Sequence, residues 1–171
     1  MIRGPGSPPG YAMSRAPLCA LAAFALCAAL SAGPAPTFTL NRPDGTRFNL
    51  EDHLARQVIV LDFWATWCGP CLQALKKLQA LQDRYPQVLV LAVAIDDGRT
   101  LSQVGPYVHG RGFTFTVLLD PDASVCRQYN PRGGVPYTVV IDQRGNTAYA
   151  HSGYLPGDER ALSRAVADLL K

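Results

Sequence analysis

A chain of 171 residues, less an N-terminal segment of about 33 that reads as a leader, leaves about 138 residues, which suits a single hydrophobic core. Apolar residues make up 48% and charged residues 17%, which excludes a wholly disordered chain. Of 16 bases, Arg3 and Arg15 lie in the leader, so the body holds 14 bases against 13 acids, a balance that gives no sign of a nucleic-acid binder. Five cysteines, two of them (Cys19 and Cys27) in the leader, exclude a disulfide-dense scaffold.

Residues 1–15 carry arginines and no acid, and Leu18 to Leu30 is an unbroken apolar run. That is the profile of a signal peptide. As a helix the run would reach about 20 Å, against about 30 Å of bilayer hydrocarbon, so cleavage after Ser31 or Gly33 is expected over stable spanning. A retained membrane anchor is the alternative. Both send the body, residues 34–171, to an exported compartment, the bacterial periplasm or the outer face of the inner membrane. Met13 stands directly before the apolar stretch and is a second candidate start.

In the body, Arg42-Pro43-Asp44-Gly45 forms a tight turn between Phe38–Leu40 and Arg47–Leu50, a predicted hairpin. Val58 to Trp64 is a β-branched and aromatic run, as in a central strand covered on both faces, with Asp62 its single acid. Gly69 to Tyr85 has leucines at 72, 75, 78 and 81 among Lys76, Lys77, Gln79 and Asp83, an amphipathic helix closed by Pro86. Val88 to Ile95 is a second buried strand, so residues 58–95 make a βαβ unit. A helix is predicted over Thr100–Gly110, a strand over Phe113–Leu119 and a short helix over Ser124–Tyr129. Tyr137–Ile141 and Thr147–His151 flank Asp142-Gln143-Arg144-Gly145 as an antiparallel hairpin, and a last helix opens at Pro156-Gly157-Asp158-Glu159. The fold class is α/β, a mixed sheet flanked by helices.

The chemistry sits at Trp67-Cys68-Gly69-Pro70-Cys71. Two thiols three residues apart can close a disulfide, and this pair lies where a buried strand becomes a helix. At the helix N-terminus, free backbone N–H groups and the dipole favour thiolate, lowering the Cys68 pKa from about 8.5. Cys68 is therefore the expected nucleophile and Cys71, one turn into the helix, the resolving thiol. Pro70 is tolerated in a first turn that does not use its missing N–H, and Gly69 keeps bulk away from the incoming sulfur. A structural bridge or half of a zinc site are the alternatives. Zinc normally takes four ligands, and His53, His109 and His151 lack metal-ligand spacing.

Gly133-Gly134-Val135-Pro136-Tyr137-Thr138 puts a proline just before a strand, which implies a bend. This stretch, together with Phe63 to Cys71, resembles the thioredoxin superfamily. The leader, the hairpin and the longer segment from Asp96 to Leu119 make the chain resemble its TlpA/ResA branch of exported thiol–disulfide oxidoreductases, over about Thr37 to Lys171. The resemblance implies a thioredoxin-like fold with an N-terminal hairpin extension and a cis Pro136 facing the cysteines. It also implies that the Val135 backbone pairs with substrate, and that Trp67, Gly69 and Pro70 join Val135 and Pro136 in substrate binding. Two departures stand out. Asp62 occupies a position where many members of the branch carry asparagine and thioredoxin a buried acid. Desolvation raises the pKa of such a group, fitting it to take the Cys71 proton directly or through water, with a locally bonded strand acid as the alternative. Arg99 stands where some relatives in cytochrome c maturation place a glutamate, which counts against the haem-pathway assignment.

Cys126 reads as a small buried hydrophobe, with a third redox thiol as the minority reading. Trp64 is expected in the core, Trp67 over the cysteines, Tyr137 beside the substrate groove, and the three histidines solvated or locally bonded. The expected function is an exported protein-disulfide reductase working through Cys68 and Cys71 with no organic cofactor or metal. Protein disulfides or thiols are its expected substrates and a membrane protein its electron donor, with cytochrome c or metalloprotein maturation implied by resemblance. A monomer is expected. A thiol peroxidase, which would need a Pro-x-x-x-Thr-x-x-Cys pattern not found here, and a copper- or zinc-handling module are the alternatives.

Overall fold

The computed structural model describes Met1 and residues 33–171, so the signal-peptide or anchor expectation, and Met13 with it, lies outside the described residues apart from their edges. Among the described residues, no helix is long and apolar enough to cross a membrane. Within residues 33–171, seven strands and four helices follow in the order β1 (Thr39–Asn41), β2 (Arg47–Asn49), β3 (Ile59–Trp64), α1 (Gly69–Arg84), β4 (Leu89–Ala94), α2 (Leu101–His109), β5 (Thr116–Leu119), α3 (Ser124–Tyr129), β6 (Tyr137–Ile141), β7 (Thr147–Ser152) and α4 (Asp158–Leu169), with a 3₁₀ turn at Leu50–Asp52. They form one mixed sheet of order β2-β1-β5-β4-β3-β6-β7. The parallel pairs are β3 with β4 and β4 with β5, and β6 and β7 add antiparallel on the other side of β3.

Every residue of β3 is buried, as its unbroken apolar run requires of a strand covered on both faces. Alternate residues serve two cores. Val58, Val60 and Trp64 pack with Cys71, Leu75, Leu78 and Leu81 of α1, Val104 and Val108 of α2 and Val166 of α4. Ile59, Leu61 and Phe63 pack on the opposite face with Phe38, Phe48, Leu50 and, from α3, Val125 and Cys126. Period-2 alternation therefore aims Asp62, between Val60 and Trp64, at the layer that holds α1.

The buried stripe of α1 is Cys71, Ala74, Leu75, Leu78 and Leu81. Leu72 is only half buried, because a spacing of three drifts around a helix of 3.6 residues per turn. The strand expected from Phe113 begins at Thr116, where pairing with Leu91 of β4 starts. Phe113 instead stacks on Phe115, ring centroids 5.0 Å apart, and joins the α1-side core. Its hydrophobicity reflects packing, not ladder bonding. The first hairpin turns at Gly45, whose φ of +84° suits a residue without a side chain, and Asp44 accepts from both the amide and the hydroxyl of Thr46.

Candidate active site

Cys68 is the N-cap of α1, and its Sγ accepts from the Cys71 amide at 3.3 Å. That amide is one of the N–H groups a helix start leaves without a carbonyl partner, so the sequence sends an unpaired donor to the outer sulfur. Cys68 and Cys71 are joined as a disulfide with Cα atoms 5.3 Å apart. Cys68 retains 7% exposure and Cys71 none, so an incoming group meets Cys68 first. Pro70 lies in the first turn of α1, and open space lies where a Gly69 side chain would project.

The loop before the pair is tied down from a distance. Asp96, fully buried after β4, accepts from the Thr66 amide at 3.0 Å and from the Thr66 hydroxyl. Trp67, immediately before Cys68, follows at 61% exposure, so its ring is open to solvent. Trp64 is fully buried, against Tyr107, as a core residue should be.

The Val135–Pro136 peptide bond is cis, and the Val135 carbonyl oxygen lies 3.7 Å from Cys68 Sγ. Two glycines ahead of it, Gly133 and Gly134, adopt φ of +72° and +95°, and the Asn130 side-chain amide donates to both of their carbonyls. On the far side, the Gly153 amide donates to the Pro136 carbonyl at 2.8 Å. This leads the chain to Leu155, which is 72% exposed. Tyr137, next to Pro136, faces away from α1, near Phe63 in the opposite core.

Beneath α1, Asp62 is wholly buried. Thr138 donates to its Oδ1 at 2.7 Å, while Oδ2 has no hydrogen-bond partner. Burial outweighs the threonine bond and pushes the carboxyl up to about 7, within reach of proton exchange at neutral pH. Asp62, Ala74 and Leu78 border the same small cavity; Ala74 lies one turn beyond Cys71 on the buried stripe of α1.

Sequence reading missed three supporting residues: Asp96, Asn130 and Thr138. Thr138 could have been found from the family motif Val135-Pro136-Tyr137-Thr138, but its bond to Asp62 spans 76 positions. His151 was expected to stand alone or bond locally; it pairs with Asp158 at 3.0 Å. Arg99 is exposed and binds Asp97. Cys126 is buried, and burial, with the Asp120 carboxylate nearby, pushes its thiol up to about 11. Among the described residues, no group of three or more histidine, cysteine or acidic side chains is arranged to hold a metal ion.

A disulfide between cysteines three apart at a helix start, facing a cis-proline loop on a mixed sheet, belongs with the thiol–disulfide oxidoreductases of the thioredoxin-like fold. The chain belongs to the AhpC/TSA family, which matches residues 32–150. It is 32% identical over 127 residues to the thioredoxin-like protein YneN of Bacillus subtilis, covering 73% of each chain. It is 29% identical over 125 residues to the thiol-disulfide oxidoreductase ResA of Geobacillus kaustophilus, covering 73% of this chain and 71% of the relative. Among solved structures, a candidate thiol:disulfide interchange protein DsbE from Chlorobium tepidum is similar with a TM-score of 0.74 and 31% identity, over 82% of this chain and 97% of that one.

Proposed function

We propose that the protein is an exported protein-disulfide reductase in which Cys68 attacks, Cys71 resolves and Asp62 carries the proton. The observation that carries this reading is Cys68 itself: partly exposed at the head of α1, its sulfur receiving a helix-start amide and lying beside the Val135 carbonyl.

In the reduced protein, the Cys71 amide and the α1 dipole favour the Cys68 thiolate. The thiolate attacks one sulfur of a substrate disulfide; the Cys68–substrate bond forms and the other substrate sulfur leaves as thiolate. Cys71 then gives its proton to Asp62, attacks Cys68 Sγ and releases the second substrate thiolate, leaving the Cys68–Cys71 disulfide. Two electrons pass to the substrate. The Val135 backbone beside the cis Pro136 offers main-chain pairing to an extended substrate segment, and Trp67, Gly69 and Pro70 supply the surrounding contact surface. The names of the relatives ResA and DsbE support protein thiols and disulfides as substrates. Export rests on the leader-like sequence, and renewed reduction outside the cytoplasm calls for a membrane electron donor. A monomer and a role in maturing metalloproteins belong to the same reading, while Arg99 counts against cytochrome c as the protein matured.

The test is insulin reduction with dithiothreitol, comparing wild type with Cys68→Ser. Loss of turnover in the variant supports the assignment. Unchanged turnover, or turnover with hydrogen peroxide but not with insulin, overturns it.

A further inference from the structure

Asp62 lies in the sheet interior, yet a proton taken there must leave before the next cycle. The strand registers show where it can go. Asp62 of β3 is directly opposite Thr138 of β6, and Thr138 is directly opposite His151 of β7. Directly opposed residues share a face of the sheet, so the three form one polar row on the α1 side, running from a central strand to the edge. On the inner side Asp62 is opposite Ala92 of β4, which offers no polar group. The row is therefore open only outward.

The same row borders a cavity of about 30 Å³ between the sheet, α1 and α4, which Asp62, Thr138 and His151 all line. That volume accommodates at least one water molecule, and the unpartnered Oδ2 of Asp62 is the kind of group such a water satisfies. At the rim His151 Nε2 meets Asp158 Oδ2 at 3.0 Å, with the two side chains 38% and 31% exposed. Asp158 also accepts from the Leu155 amide, a bond that, with His151, holds its carboxyl below the usual range. A lasting carboxylate thus fixes the imidazole, the side chain best suited to pass protons near neutrality.

We propose that this cavity, with the His151–Asp158 pair at its rim, is the port through which Asp62 exchanges its proton with solvent. The proposal rests on the reading of Asp62 as the acceptor of the Cys71 proton. In the resolving step that proton passes to Asp62 Oδ2. It then moves to a cavity water, and the water's own proton goes to the His151 ring and on to bulk solvent, returning Asp62 to carboxylate. No electrons move in this relay. The other groups facing the cavity are Lys77 from α1, Tyr149 from β7, Tyr154 from the β7–α4 turn and Glu159 from α4. The Tyr149 and Tyr154 hydroxyls are shifted up, in both cases mainly by burial, so they stay neutral through the relevant range. The Glu159 carboxyl is shifted down, backbone amides being the main cause. Glu159 contributes fixed charge, and His151, directly opposite Thr138 at the rim of the row, is the relay. His151 is a positioning and relay residue, since it does not touch the sulfurs.

The test uses the full chain, reduced, then oxidised by glutathione disulfide in a stopped-flow device from about pH 6 to 8, with tryptophan fluorescence as the signal. His151→Gln, which can keep a hydrogen bond to Asp158, is expected to slow resolution by roughly tenfold, below the ~10²-fold typical of a direct proton acceptor. Formation of the mixed disulfide should be unchanged, and free imidazole in the buffer should restore the lost rate. A merely structural role for His151 would give no imidazole rescue. Wild-type resolution in His151→Gln, or a loss that imidazole does not restore, overturns the port while Asp62→Asn remains slow. If Asp62→Asn itself resolves at the wild-type rate, the underlying reading of Asp62 fails and the port with it.

Discussion

Thr138 stands directly across the β3–β6 ladder from Asp62 and donates to only one of its two carboxylate oxygens, at 2.7 Å. One bond to a neutral hydroxyl does not offset full burial, so the folded protein holds the Asp62 proton up to about pH 7, whereas the unfolded chain releases it near the ordinary value of 3.8. Between these two values the folded state binds more protons than the unfolded one, and stability falls as pH rises. At ~1.4 kcal/mol per pH decade the loss is roughly 4 kcal/mol, complete above pH 7. Asp62→Asn should therefore be more stable than wild type at pH 8 by a few kcal/mol and show little of this slope. Urea unfolding of the oxidised protein across the window measures it; a wild-type profile flat between those values would contradict the burial argument.

The two cysteines should fail differently. Cys68→Ser removes the only sulfur of the pair that reaches solvent and should abolish exchange. Cys71→Ser leaves the attacking sulfur but nothing to resolve it, so a stable mixed disulfide with substrate should accumulate. Mass spectrometry after mixing with an oxidised peptide distinguishes the two. Iodoacetamide titration of the reduced Cys71→Ser form should place Cys68 below the ~8.5 of a free thiol.

Asp96→Ala should loosen the approach to Cys68. It strips partners from the amide and the hydroxyl of Thr66, and leaving buried or half-buried donors unpaired costs about 1–3 kcal/mol. Thermal denaturation should show that loss, accompanied by a lower insulin-reduction rate, because the segment carrying Trp67 and Cys68 is no longer held to the end of β4.

Trp67 is exposed, so Trp67→Ala should change stability by no more than about 0.5 kcal/mol. Its effect belongs in substrate recognition. KM for a protein disulfide should rise, while the rate with a small disulfide such as that of glutathione stays the same. Equal losses for both substrates would reassign the ring to positioning Cys68.

Cys126 should remain silent. Its thiol is buried and pushed up to about 11, so alkylation of the native reduced protein should label Cys68 and leave Cys126 untouched until denaturant is added. Cys126→Ala should retain wild-type turnover.

The elements most legible in the sequence were those whose signal is local. The β3 run, the capped start of α1 at Cys68-Gly69-Pro70-Cys71 and the β6–β7 hairpin are read from residues within a few positions of each other, and the structure places all three close to the expected bounds. The start of β5 was less legible, since Phe113 and Phe115 look like strand residues but are apolar for the sake of the core beside α1. The exposure of Trp67 was not legible either: an aromatic next to a cysteine pair suggests a place over the site, but nothing in its neighbours says how much of the ring meets solvent.

By itself the sequence determined that two thiols share one helix turn at the end of a buried strand and that a lone acid sits in that strand, because both depend only on spacing along the chain. The tertiary structure alone decided what surrounds them. Asp96 grips Thr66 from 30 positions away, Val135 meets Cys68 from 67, and Thr138 reaches Asp62 from 76. Strand register and loop closure fix those meetings, and register follows from how whole faces are buried together. The same register carries the polar row from Asp62 out to His151, a histidine with no local partner pattern until the β6–β7 ladder and the start of α4 give it neighbours.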